Sequence, residues 1–171
     1  MRLISFLLNH TACYGAVHGN KVLNLTPILG AEAPDLKTLI AKKMLDKAAE
    51  ALRQHTPDLI FEDLSLLPVI PNPEKIMCVG LNYHDHVKET GRDLTEKPAI
   101  FSRVNSSQVG HGQDIMRPPE SHRLDYEGEI AIIIGEGGRR ISEADAWNHI
   151  AGYSCYNDGS VRDWQNFTTQ W

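Results

Sequence analysis

The chain has 171 residues, 42% of them hydrophobic and 23% charged, with a formal net charge of -5. These proportions suit an ordinary globular protein, either one domain with a good core or a small domain beside a medium one. The acidic balance gives no electrostatic reason for nucleic acid or an anionic membrane surface as partner, and no stretch approaches the roughly 18 apolar residues of a membrane span.

The opening "MRLISFLLNHTAC" has an apolar stretch of only six residues and no small-x-small cleavage site, so it does not read as a signal peptide and a cytoplasmic location is expected. "LISFLL" and "KVLNL" flank "CYGAVHGN", where Gly19-Asn20 can turn a hairpin. In "DLKTLIAKKMLDKAAEALRQ", apolar groups at 36, 39, 40, 44, 45, 48, 49 and 52 predict a helix, with Asp35 as its N-cap. "LLPVIPNPEK" then places Pro68, Pro71 and Pro73 in an extended linker. Residues 1–70 are therefore expected to form a small N-terminal domain and 71–171 part of a second one.

From Lys75 the pattern becomes one of short strands: "KIMCVGLN", a buried one, then "PAIFSRV", "DYEGEIAIIIG" and "YSCYND". "YHDHVKETG" reads as a polar helical turn and "SEADAWNHIAGY" as a short helix with Ser142 as N-cap and Asp145 near a capping-box position. Many short strands, glycine turns and few helices predict a mainly β (α+β) fold, a barrel or rolled sheet with a helix outside. Cys13, Cys78 and Cys155 are odd in number and form no CxxC, which predicts buried free thiols.

"LDYEGEIAIIIG" carries the chemistry. In one strand, Asp125, Glu127 and Glu129 share a face, about 6.5–7 Å apart from one to the next. At an intermediate dielectric two such charges repel by roughly 2–2.5 kcal/mol. Facing a cavity they call for a cation, and a hard divalent ion with carboxylate oxygens answers that need. Facing water they merely keep a strand end soluble. The isoleucines after Glu129 argue that the strand enters a core. Asp158 and Asp163 of "YNDGSVRDWQ" could add a ligand, although Asn-Asp-Gly is also a common turn. His86 and Glu89 in "GLNYHDHVKE" stand at i, i+3, so a helical turn would let the glutamate orient the histidine as a general base; an exposed polar turn is the plainer alternative.

Together, "KIMCVGLNYHDHVKETG", "KPAIFSRVNSSQVGHGQDI", "LDYEGEIAIIIG" and "IAGYSCYNDGSVRDWQ" resemble the fumarylacetoacetate hydrolase family. The resemblance implies a β-roll catalytic domain holding Mg2+ (Mn2+ or Ca2+ in some members) on Glu127, Glu129 and Asp158, with Asp125 a neighbour rather than a ligand. It further implies catalysis by His86 paired with Glu89, and Arg103 and Gln165 near the substrate. The implied activity is hydrolysis of a C–C bond in a 1,3-diketo acid of the acylpyruvate or fumarylpyruvate type, through a metal-bound enolate. Related members isomerise, decarboxylate or hydrate 2-oxo dioic acids in aromatic-compound catabolism, and a non-catalytic metal-binding homologue or fragment is the rival from another class. A homodimer is implied as well. Family members continue beyond the position of Trp171, where a lysine that helps stabilise the enolate is expected, so the sequence reads as the N-terminal part of a longer catalytic domain.

Overall fold

A computed structural model describes residues 1–83 and 97–168. The first seventy residues build a five-stranded antiparallel sheet in the order β4-β3-β2-β1-β5. Its centre is β1 (Arg2–Leu8) paired with β2 (Thr11–His18), in register from Arg2 opposite Val17 to Leu8 opposite Thr11. β3 (Lys21–Asn24) follows β2 through the expected Gly19-Asn20 turn, with Gly19 at φ +60°. The preceding turn is made by Asn9 and His10, both left-handed at φ 50° and 62°. "CYGAVH", expected to connect two strands, is therefore part of a strand itself. Short strands β4 (Leu59–Ile60) and β5 (Ser65–Leu66) close the two edges.

Alternation along β2 sorts side chains onto two apolar layers. Tyr14 and Ala16 pack towards the helices with Leu25, Leu36 and Leu39, while Cys13 and Val17 pack on the other face with Phe6 and Val22. Complete burial of side chains such as Phe6 and Leu39 is worth about 1.5–3 kcal/mol each.

The single helix expected between 36 and 52 is interrupted. After α1 (Thr26–Leu29), α2 runs Leu36–Ala41 and α3 runs Leu45–Gln54. Between them Lys43 is left-handed at φ 55°, its N–H donates to the Ile40 carbonyl, and the Met44 N–H donates to the Leu39 carbonyl. This is the Schellman pattern that ends helices, built without its usual glycine, and it drops Met44 into the core. The Asp35 cap forms as expected, accepting from the Thr38 N–H at 2.7 Å.

Beyond the proline-rich stretch, the described residues form three antiparallel pairs. β6 (Ile76–Gly80) pairs with β7 (Ala99–Arg103), β8 (Leu124–Asp125) with β11 (Ser160–Val161), and β9 (Gly128–Ile134) with β10 (Ile150–Asn157). A one-turn helix, α4 (Arg162–Gln165), follows. Two expectations need correction here. "DYEGEIAIIIG" is two strands broken at Tyr126-Glu127, because β8 and β9 pair with different partners. "SEADAWNHIAGY" is no α-helix: Ser142 does bond Asp145, but only a 3-10 turn forms at Ala146–His149 before Ile150 joins the sheet.

These strands are half-buried on one face and open on the other. Ile130, Ile132 and Ile134 are 68%, 53% and 61% exposed, so the expected entry into a core is met on one face only. β6, expected to be buried, alternates in the same way. Of the three cysteines, all free, only Cys13 is buried. The two regions meet where Gly110 lies against the Leu66 backbone and the Gln113 amide donates to the Leu66 carbonyl at 3.2 Å. No helix of the described residues is long and apolar enough to cross a membrane.

Candidate active site

The ends of β7, β8, β9 and β10 gather most of the sequence-predicted residues. Asn157, the last residue of β10, accepts from the Glu127 N–H through its side-chain oxygen at 3.0 Å. The Asp158 N–H donates to the Glu127 carbonyl at 2.9 Å. The Asn-Asp turn is thereby fastened to the break between β8 and β9, which is why Glu127 and Asp158 lie side by side despite their separation in sequence. Glu129 enters β9 opposite Tyr156 of β10.

Asp158 is the most buried carboxylate of the group, 5% exposed. Arg103, at the end of β7, compensates its charge: Nε donates to Asp158 Oδ1 at 2.6 Å and Nη2 reaches the same carboxylate. Arg103 Nη2 also donates to the Gly159 carbonyl at 3.0 Å and lies 3.4 Å from Ser160 Oγ. Burying a charge without such partners would be costly. Cys78 and Tyr156 face this pair. Burial pushes the Cys78 thiol up, with Asp158 and Glu129 adding to the effect and Arg103 opposing it. Burial raises the Tyr156 phenol too, helped by Cys78 and Asp158.

A second arginine was not singled out by the sequence. Arg162, first residue of α4, donates from Nε to Asp125 Oδ2 at 2.9 Å, pairs through Nη2 with Glu127 Oε1, and donates from Nη1 to Gln165 Oε1 at 3.1 Å. Partial burial alone would lower its pKa, but Asp125 and Glu127 outweigh burial and raise it. Its position inside "SVRDWQ", beside an acidic strand, was the available signal. Ser121, almost fully buried, donates to both oxygens of Asp163 and fixes the same helix from below.

Arg103, Glu127, Glu129, Asp158 and Gln165 thus all belong to one neighbourhood, whereas His86 and Glu89 lie outside the described residues. The donor chemistry of Glu127, Glu129 and Asp158 suits a hard divalent cation. Their placement does not yet make a cage: among the described residues, no three His, Cys, Asp or Glu side chains are gathered closely enough to hold an ion. Glu127 is instead engaged by the guanidinium of Arg162, and Asp158 by that of Arg103.

Comparison with known proteins bears on this constellation. The family model described as fumarylacetoacetate (FAA) hydrolase C-terminal matches residues 75–171. The cattle protein oxaloacetate tautomerase FAHD2A, mitochondrial, is 36% identical over 175 residues, covering 96% of this chain and 54% of its own length. Fumarylacetoacetate hydrolase from Exiguobacterium antarcticum superposes with a TM-score of 0.72 at 30% identity, over 98% of this chain and 59% of that one. Maleylpyruvate hydrolase from Sphingobium sp. SYK-6, solved with manganese(II) and pyruvate, gives a TM-score of 0.76 at 26% identity, over 95% of this chain and 60% of that one. The chain spans about half the length of the curated relatives it matches.

Proposed function

The chain belongs to the fumarylacetoacetate hydrolase family, and we propose that it forms part of an enzyme that hydrolyses a C–C bond in an acylpyruvate-type 1,3-diketo acid. Residues 1–70 serve in this reading as a small domain carried beside the catalytic one. The observation that carries the reading is the pairing of Arg103 with Asp158 next to Glu127, which puts a fixed guanidinium and two carboxylates where strands from three sequence segments end.

Each residue has a task. Arg103 offers its positive charge to the substrate carboxylate while anchored on Asp158 and the Gly159 carbonyl. Gln165, at the end of α4, supplies an amide to a substrate oxygen. His86, oriented by Glu89, takes a proton from the water that attacks the distal carbonyl; as the C–C bond breaks, its electron pair goes to the pyruvate half, which is then protonated. A divalent cation on Glu127, Glu129 and Asp158 would supply Lewis-acid stabilisation of the charge on the 2-oxo acid. The solved maleylpyruvate hydrolase with manganese(II) and pyruvate supports that choice.

A second reading has its own support. Relatives matching nearly the whole chain are named oxaloacetate tautomerases, so keto–enol interconversion of a 2-oxo acid, without bond cleavage, is the competing activity. Purified protein with manganese, given an acylpyruvate, should release pyruvate detectable with lactate dehydrogenase. Oxaloacetate tautomerisation, followed in the ultraviolet, without any pyruvate release would favour the second reading. Inactivity towards both substrates would overturn the enzyme reading.

A further inference from the structure

The two arginines that occupy the carboxylates are held in different ways. Arg103 is tied to backbone as well as side chain, accepting positions being the Asp158 carboxylate and the Gly159 carbonyl, with Ser160 Oγ nearby. It cannot leave without opening a buried turn. Among the described residues, every acceptor of the Arg162 guanidinium is a side-chain oxygen: Asp125, Glu127 and Gln165. Two carboxylates share this one guanidinium, and Asp125 is about half exposed. The Glu127 carboxylate can therefore turn away from Nη2 while Nε stays on Asp125 and Nη1 on Gln165, a rotation of one side chain that leaves the rigid, planar guanidinium and the helix in place. The Arg162 backbone is independently fixed by its N–H donating to the Arg123 carbonyl at 3.0 Å.

We propose that Arg162 is a stand-in for the divalent cation at Glu127: its guanidinium neutralises that carboxylate until the ion arrives, and Glu127 then turns to the ion while the guanidinium stays on Asp125 and Gln165. The inference rests on the divalent-ion reading given above. It accounts for a donor set of suitable chemistry whose members are not gathered around a common point, because Glu127 is turned to Arg162 and Asp158 to Arg103. It also assigns Asp125, which the family resemblance leaves without a role, as the residue that keeps Arg162 neutralised and in place once Glu127 has left it. An ion entering this site must overcome a cation already bound to one ligand, so Arg162 sets the affinity for metal.

Calorimetric titration of the protein with Mn2+, with circular dichroism to verify folding, tests this. Arg162→Gln should bind Mn2+ at least tenfold more tightly than the unmodified protein, because a competing unit charge a few ångströms away is gone. Arg103→Gln removes the same charge but also the anchor of Asp158, and should bind no more tightly than the unmodified protein. Should Arg162→Gln fail to fold, Arg162→Lys serves: a compact ammonium cannot reproduce the planar fork that engages Asp125, Glu127 and Gln165 at once, so its hold on Glu127 is weaker and Mn2+ should bind about threefold more tightly. Unchanged or weaker binding by the Arg162 variant, or equal tightening by both glutamine variants, would overturn the exchange and leave the divalent-ion reading standing. Failure of the unmodified protein and of Arg162→Gln alike to bind Mn2+ would overturn that reading itself.

Discussion

Residues 2–70 and residues 75–168 solve opposite problems with the same kind of strand. In the first region the buried side chains are apolar except for Ser5, with Phe6, Tyr14, Leu25 and Leu39 among them, and the apolar ones lie in two layers on either face of one sheet. In the second, the buried side chains among the described residues are Ser121, Asp158 and Ser160, all polar, while isoleucines of β9 stand exposed. The first region derives its stability from apolar burial. The second buries hydrogen-bonded polar groups around one carboxylate, and such groups specify an arrangement more than they stabilise it.

The sharpest way to test that contrast is a pair of truncations. Phe6→Ala, at a fully buried position, should cost about 3–5 kcal/mol in chemical denaturation, whereas Ile132→Ala on the open face of β9 should change stability by no more than about 0.5 kcal/mol. Comparable losses at both sites would erase the distinction. The seam between the regions comes next. A β-carbon on Gly110 would sit 1.9 Å from the Leu66 carbonyl oxygen, so Gly110→Ala should cost about 1–3 kcal/mol and expose the 67–75 segment to limited proteolysis. Equal protease resistance would show that the regions do not depend on this contact.

A smaller effect belongs to the cap of α2. Asp35→Ala should cost about 1 kcal/mol at neutral pH in thermal melts. Burial alone would raise the Asp35 pKa, but hydrogen bonds from Thr38 and Asn72 outweigh it and hold it below the ordinary 3.8. A depressed carboxylate contributes stability above its unfolded value and loses it as pH falls through the folded one. The gap between Asp35→Ala and the unmodified protein should therefore close below pH 3.8. A gap that persisted in acid would show that the charge plays no part.

The sequence made some features readable and hid others for identifiable reasons. Gly19-Asn20 announced its turn because glycine is the residue that tolerates φ +60° cheaply, and Asp35 announced its cap. Asn9-His10 and Lys43 adopt the same left-handed backbone without glycine, so one strand and one helix break were invisible. At the site, the acidic spacing was legible as a cation-seeking pattern, but it assumed one continuous strand. The break at Tyr126-Glu127 and the partners chosen by Arg162 depend on pairing between β8 and β11, which no local pattern encodes. Arg103 was reached only through family likeness, and the tie to Asp158 shows what holds it in place.

Because the Asn157 side chain grips the amide of Glu127 while the next residue's amide grips the Glu127 carbonyl, the two acidic positions are clamped into a single bracket. Neither can drift independently to suit an ion of another radius. On the proposed divalent-ion reading, a change of metal preference would have to come from exchanging the side chains themselves, or the cations stationed around them, and not from sliding one strand against its neighbour.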